Sequence, residues 1–112
     1  MLARNKMGVP GVMMLGDAIK SGAALQSLDL HGNALPSQAA GPLAEALRCG
    51  TALRELLLQD NALGVVGAAL LADGLKQNAG LTSLDVQRND IGEGAGLLDD
   101  ASRDVQDLIV WK

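Results

Sequence analysis

The chain has 112 residues, of which 48% are apolar, and its 9 basic and 13 acidic residues give a net charge of −4. This balance argues against a general affinity for nucleic acid or anionic lipid, since both require clustered Lys and Arg, and no stretch approaches the ~20 apolar residues of a membrane span. Trp111 is the only aromatic residue and Cys49 the only cysteine. We therefore predict one domain over 1–112, with an aliphatic core and no internal disulfide.

The first 24 residues begin with positive charge, continue as an apolar segment and end in small residues. That order is loosely the order of a signal peptide or an import leader. Asp17 interrupts the apolar segment, and the same residues fit the repeat described next, so a repeat unit is favoured. A reducing, cytoplasmic location is the simplest expectation, because small secreted domains usually depend on disulfides.

A 28-residue period runs through the chain without gaps from residue 1 to about residue 95. Apolar residues recur in fixed columns, one of which holds Leu2, Leu30, Leu58 and Val86. Such self-similarity is typical of a repeat architecture. The predicted units are about 1–24, 25–52, 53–80 and 81–104, followed by a terminal strand or cap at 105–112.

Each unit combines two apolar patterns. The segments "LQSLDL", "LRELLL" and "LTSLDV" end with a period of two, which predicts short strands. The segments "SQAAGPLAEALRCG" and "VVGAALLADGLKQN" have apolar residues at helical spacing and are rich in Ala and Leu. A strand followed by a helix, repeated, requires parallel strands and right-handed crossovers. Stacking at one period then predicts an α/β solenoid with strands on one side and helices on the other.

One asparagine follows each predicted strand, at Asn5, Asn33, Asn61 and Asn89. The backbone must turn sharply there and leaves N–H and C=O groups outside the sheet. An Asn side chain carries donors and an acceptor together, so it can bond both its own turn and that of the neighbouring unit. We therefore predict a structural asparagine ladder, in which aspartate would lack the donors and bury a charge.

Two charged columns lie on the predicted helices, three residues apart. The acidic column is Asp17, Glu45 and Asp73, and the basic column is Lys20, Arg48 and Lys76. This spacing places each acid beside a base on a solvated helix face, and the alternating signs argue against a basic groove for phosphate.

The pattern of a leucine-rich strand, an asparagine, an apolar-Gly turn and a long helix resembles the leucine-rich repeats of the ribonuclease-inhibitor type. The match is nearly complete in "LRELLLQDNALGVVGAALLADGLKQNAG", residues 53–80. Similar repeats occur in ribonuclease inhibitor, the Ran GTPase-activating protein and the NOD-like receptors. The resemblance implies a short horseshoe arc with strands on its concave face and helices on its convex face. It implies little about function, because the matching residues belong to the scaffold.

The two ends depart from that pattern. The first unit starts in mid-strand, since residues 1–3 correspond to 29–31, which suggests a fragment of a longer array or a short isoform. An open first strand would invite self-association. At the other end, "VQDLIVWK" resembles a further strand that comes 24 residues after its counterpart, so the last helix is expected to be about one turn shorter.

The resemblance and the alternation of strand residues together predict a concave face that binds another protein. Its expected residues are Ser27, Asp29, His31, Glu55, Leu57, Gln59, Ser83, Asp85 and Gln87, with Asp107, Ile109 and Trp111 from the terminal strand. This face is largely polar and acidic, with an apolar spot at Leu57 and at Trp111, so a partner with a basic surface is expected. Two alternatives remain: these side chains are simply solvated, and Trp111 covers the core of the last unit.

No catalytic arrangement is expected. His31 lies on a predicted strand and Cys49 near a helix end on the opposite side of its unit, which excludes a Cys–His pair and an ordinary zinc site. We expect no metal, no cofactor and no enzyme activity. The predicted function is a protein–protein interaction module within a larger scaffold, receptor or regulator. The alternatives are a structural or capping segment of a longer array, and a regulator of an enzyme, either ribonuclease-inhibitor-like or GTPase-activating.

Overall fold

Helices and strands alternate along the chain. The computed structural model describes residues 8–20, 26–48, 53–77, 80–101 and 107–109. Its elements are α1 (Gly8–Lys20), β1 (Ser27–Asp29), a 3-10 turn (Ser37–Ala39), α2 (Ala40–Arg48), β2 (Glu55–Leu57), α3 (Gly64–Leu75), β3 (Ser83–Asp85), α4 (Gly94–Ala101) and β4 (Asp107–Ile109). None of the helices within these ranges is long and apolar enough to cross a bilayer.

The strands form one parallel sheet in the order β1-β2-β3-β4. Leu28 pairs with Leu56, Leu56 with Leu84, and Leu84 with Leu108, so the sheet register follows the columns of the sequence. The last step is shorter than the others because α4 has 8 residues where α3 has 12.

Aliphatic side chains from both layers fill the space between the sheet and the helices. The strands contribute Leu28, Leu56 and Leu84, and the residues just after them contribute Leu30, Leu58 and Val86, all buried. The helices contribute Leu43, Leu47, Leu71, Leu75 and Leu98. Each fully buried leucine stabilises the fold by roughly 1.5–3 kcal/mol relative to exposure, so the aliphatic columns account for the stacking.

Small residues let the helices approach one another closely. A Cβ added at Gly74 would lie 2.8 Å from the carbonyl oxygen of Ala44, and one added at Gly94 would lie 2.5 Å from the Cβ of Ala68. Consecutive helices are in contact along the chain, α1 with α2, α2 with α3 and α3 with α4. Glycine at these two positions therefore sets the spacing of the helix layer.

The turns into the helices are not all alike. Gly64 and Gly92 have φ of +67° and +50°, at the start of α3 and in the turn before α4. Pro36 occupies the corresponding place before α2 with φ of −81°, because its ring excludes positive φ. Within the segment of helical spacing that starts at Ser37, residues 37–39 form a 3-10 turn and α2 begins at Ala40.

Candidate functional site: the strand face

The strands present one row of side chains away from the core. The buried Leu28, Leu56 and Leu84 alternate with side chains on the opposite side of the sheet. We call that side the strand face, and it consists of Ser27, Asp29, His31, Glu55, Leu57, Gln59, Ser83, Asp85 and Gln87. Parallel pairing aligns these residues into rows, with Ser27, Glu55 and Ser83 in one and Asp29, Leu57 and Asp85 in the next.

Asp29 is bound to the turn that follows its own strand. Its Oδ1 accepts a hydrogen bond from the backbone N–H of His31 at 3.1 Å and lies 2.6 Å from the His31 Nδ1. Burial alone would raise the pKa of the Asp29 carboxyl, but the hydrogen bonds and the charge of His31 outweigh it and hold that pKa below its usual range. The carboxylate is therefore ionised at neutral pH.

Asp85 makes the corresponding turn on β3. Its Oδ1 accepts a hydrogen bond from the Gln87 N–H at 3.1 Å, and its Oδ2 accepts one from the Gln87 Nε2 at 3.0 Å. Asp85 is only 7% exposed, so it is more enclosed than the solvated face predicted from the sequence. In the row of Ser27, Glu55 and Ser83, the Ser27 hydroxyl donates to the Glu55 carboxylate at 2.5 Å.

Leu57 interrupts this pattern on β2. It occupies the place of Asp29 and Asp85 but offers no acceptor to the N–H of Gln59. The Gln59 Oε1 is buried and has no hydrogen-bond partner within the described ranges. The sequence signal for this difference is the contrast of "DLH" and "DVQ" with "LLQ". Leu57 is an expected apolar position, whereas the missing hydrogen bond is a finding of the structure.

The asparagines link consecutive turns behind the strand face. The Asn61 Oδ1 accepts from the N–H groups of Asn33 and Leu35 at 2.9 and 3.0 Å, and its Nδ2 donates to the carbonyls of Leu30 and Leu58 at 3.0 and 2.9 Å. Asn89 repeats this arrangement one unit later: it accepts from the Leu63 N–H and donates to the Leu58 and Val86 carbonyls. These bonds hold the ends of neighbouring strands at a fixed spacing.

Ion pairs connect neighbouring helices and neighbouring turns. Arg48 donates to Glu45 at 2.7 Å, the spacing expected from the sequence, and also to Asp73 on α3 at 2.9 Å, which was not predicted. The hydrogen bond to Asp73 is the main cause that raises the pKa of Arg48. Arg88 pairs with Asp60 between consecutive turns, and this hydrogen bond raises the pKa of Arg88.

A separate cavity of about 240 Å³ lies between α1 and α2, lined by Met13, Asp17, Gly41, Pro42 and Glu45. This volume is below the ~300–1,000 Å³ typical of small-molecule sites. Within the described part of the chain, no three His, Cys, Asp or Glu residues are placed to bind a metal ion.

Several predicted features lie outside the described residues. They are Asn5 of the ladder, Trp111, Cys49, the open first strand at residues 1–3 and the side chain of Lys20; the backbone of β4 is described, but the side chains of Asp107 and Ile109 are not. Their roles remain predictions.

Comparison with known proteins supports the repeat. The family model described as Leucine Rich repeat matches residues 77–96. Among solved structures, the fold is similar to that of Leiomodin-1 Actin-Binding Site 2 (ABS2), with a TM-score of 0.80 and 18% identity, over 93% of this chain and 64% of that one. No curated protein matches the sequence. The family-model match and the structural similarity together support a leucine-rich repeat protein with a mixed α/β fold.

Proposed function

We propose that the chain is a non-catalytic protein–protein interaction module that binds its partner on the strand face. The observation that carries this proposal is the alignment of side chains from three parallel strands at one register. Such rows form a continuous surface, and stacked repeat units use surfaces of this kind for binding. In a ribonuclease-inhibitor-type solenoid this surface would be the concave face. The module would act inside the cell, within a larger scaffold, receptor or regulator.

The charge of the strand face favours a partner with a basic surface. Glu55 accepts a hydrogen bond from Ser27, and Asp85 accepts two from Gln87. No basic side chain of the described residues forms an ion pair with either carboxylate. The charge of Arg88 interacts favourably with that of Asp85, so Glu55 carries the clearer attraction for a basic partner. Complementary charge raises the rate and specificity of association.

Actin is the first named protein to test, because the structurally similar part of leiomodin-1 is described as an actin-binding site. At 18% identity the similarity supports the fold and does not identify the interface. Since this chain spans 64% of the leiomodin-1 structure, actin binding by the whole of that structure transfers to this chain only as a hypothesis.

The test compares three immobilised forms of the protein. The strand-face variant Ser27→Arg plus Glu55→Arg changes the charge of the row of Ser27, Glu55 and Ser83 by about +3. The control variant Gln77→Arg plus Glu93→Arg makes the same change at two exposed positions away from the strand face. Circular dichroism first establishes that all three are folded.

Purified actin and a cell lysate are then passed over each form, and retained proteins are quantified by mass spectrometry. We expect at least one protein to be retained by the wild type and the control and lost from the strand-face variant. Equal retention by all three forms would contradict binding on this face.

A further inference from the structure

We propose that Leu57 is the anchor of the interface and packs against the aliphatic stem of a lysine or arginine side chain from the partner. This inference rests on the proposed strand-face function. It assigns a specific role to one residue and a chemical class to the group that it contacts.

Leu57 occupies a place where the neighbouring repeats make a local hydrogen bond. Asp29 and Asp85 each accept the backbone N–H of the residue two positions later. Leu57 is aligned with both of them in the sheet and cannot make this bond. The protein therefore carries a partly exposed leucine where a polar residue would improve the turn, and departures of this kind are expected at functional sites.

The core does not require this leucine. Leu56 and Leu58, on either side of it, have no exposed surface and point toward the helices. Leu57 points to the other side of the sheet and remains partly exposed. Its side chain is thus available for contact with a partner.

The polar surroundings of Leu57 determine what that partner presents. Carboxylates stand on both adjacent strands, at Asp29 and Asp85, and adjacent strands are about 4.8 Å apart. An acidic group would be repelled by these carboxylates, and a purely apolar group would desolvate them without a compensating bond. A lysine or arginine stem can cover Leu57 while its charged head reaches the Asp29 carboxylate, the more exposed of the two.

The direct test uses a matched pair of small probes. N-acetyl-arginine amide and N-acetyl-citrulline amide have nearly the same shape, but only the first is charged. Each is titrated into protein with ¹³C-labelled leucine methyl groups, and the Leu57 methyl shifts are followed by NMR. We expect a saturable shift with the arginine probe at an affinity at least tenfold higher than with citrulline. Equal shifts for the two probes, or none at Leu57, would overturn the inference.

A variant separates an anchoring role from a structural one. Leu57→Asn supplies an oxygen that can accept the Gln59 N–H without adding charge, so the urea midpoint is expected to stay unchanged or to rise. In ¹⁵N-labelled protein, the arginine probe is expected to shift the residue 57 amide in the wild type and to leave it unchanged in the variant. The control variant, Val66→Asn, introduces asparagine at another apolar side chain, on α3, that is 63% exposed. It should leave probe binding unchanged. A large loss of stability in Leu57→Asn would show that Leu57 is structural and would refute the inference.

Capture of the partner distinguishes this failure from failure of the proposed function. If Leu57→Asn retains the partner while the Ser27→Arg plus Glu55→Arg variant loses it, the anchor is wrong and the strand-face function stands. If both variants retain the partner as the wild type does, the strand-face function is wrong as well.

Discussion

Asn61 is the residue whose replacement tests the asparagine ladder most directly, because its side chain bonds to both of the turns that it joins. Its Oδ1 accepts two backbone N–H groups and its Nδ2 donates to the carbonyls of Leu30 and Leu58. Asn61→Ala removes these bonds and leaves their partners enclosed. At about 1 kcal/mol net for each bond, the free energy of unfolding is expected to fall by about 4 kcal/mol. That is a large share of the ~5–15 kcal/mol typical of a domain.

Asn61→Asp tests the contribution of the amide donors separately from that of the oxygen acceptor. The carboxylate keeps the two acceptor bonds but faces the carbonyls of Leu30 and Leu58 without a hydrogen to donate. The variant should therefore be destabilised at neutral pH. Protonation of the carboxyl restores a donor, so the difference from wild type should narrow as the pH falls toward ~4.

Urea unfolding followed by circular dichroism at neutral and acidic pH measures both variants. Gln77→Ala, at an exposed position after α3, provides the control and is expected to change stability by less than about 0.5 kcal/mol. A loss below about 1 kcal/mol for Asn61→Ala, or an Asp variant as stable as wild type at neutral pH, would refute the reasoning.

Three further predictions concern stability. Gly74→Ala should lower the free energy of unfolding by about 1–3 kcal/mol, because its new Cβ would clash with α2. Gly41→Ala is the control: its Cβ would meet no atom within 4 Å, so its effect on stability should be neutral or favourable. Equal changes of the two variants in thermal unfolding would contradict the clash. Ala34→Gly should raise stability by about 1 kcal/mol in urea unfolding, because Ala34 has φ of +53°. Ala62→Gly, at the equivalent place without positive φ, should lower the free energy of unfolding by about 0.5–1 kcal/mol. Stability changes of the same sign in the two variants would count against backbone strain at Ala34. The lowered pKa of Asp29 means that the unfolded chain binds its proton more readily, so stability should be lost as the pH falls below about 4. Asp29→Asn should flatten that dependence in acid unfolding curves, and an unchanged slope would rule out this carboxylate as the cause.

The strand register is predictable from the sequence because a slip of one residue would turn Leu28, Leu56 and Leu84 away from the core. The same alternation predicts which residues share the strand face. Both inferences depend only on the period of two within a strand and on the 28-residue spacing. Local pattern therefore specifies the register of the sheet and the side of it on which each strand side chain lies.

Other features depend on orientations that the sequence does not specify. The start of α2 at Ala40, after a 3-10 turn at 37–39, is not indicated by the helical spacing of the sequence. The contact between Arg48 and Asp73 joins residues 25 positions apart on two helices, so it depends on how these helices pack. The enclosure of Asp85 likewise depends on its rotamer toward Gln87. The contrast of Leu57 with Asp29 and Asp85 is present in the sequence, but the hydrogen bonds that the two aspartates make depend on side-chain directions set in the folded chain.

The parallel register has a consequence for folding. The first two strand pairings join residues 28 positions apart, and the third joins residues 24 apart. Since loop-closure entropy changes by only about 0.6 kcal/mol when a loop doubles in length, each added strand closes a loop of nearly the same cost. We therefore expect structure to spread from one pair of units to the next. A tandem copy of residues 53–80 placed after Gly80 would keep the present junctions with the preceding and following units and add one new junction between the two copies, so the protein should lengthen by one unit.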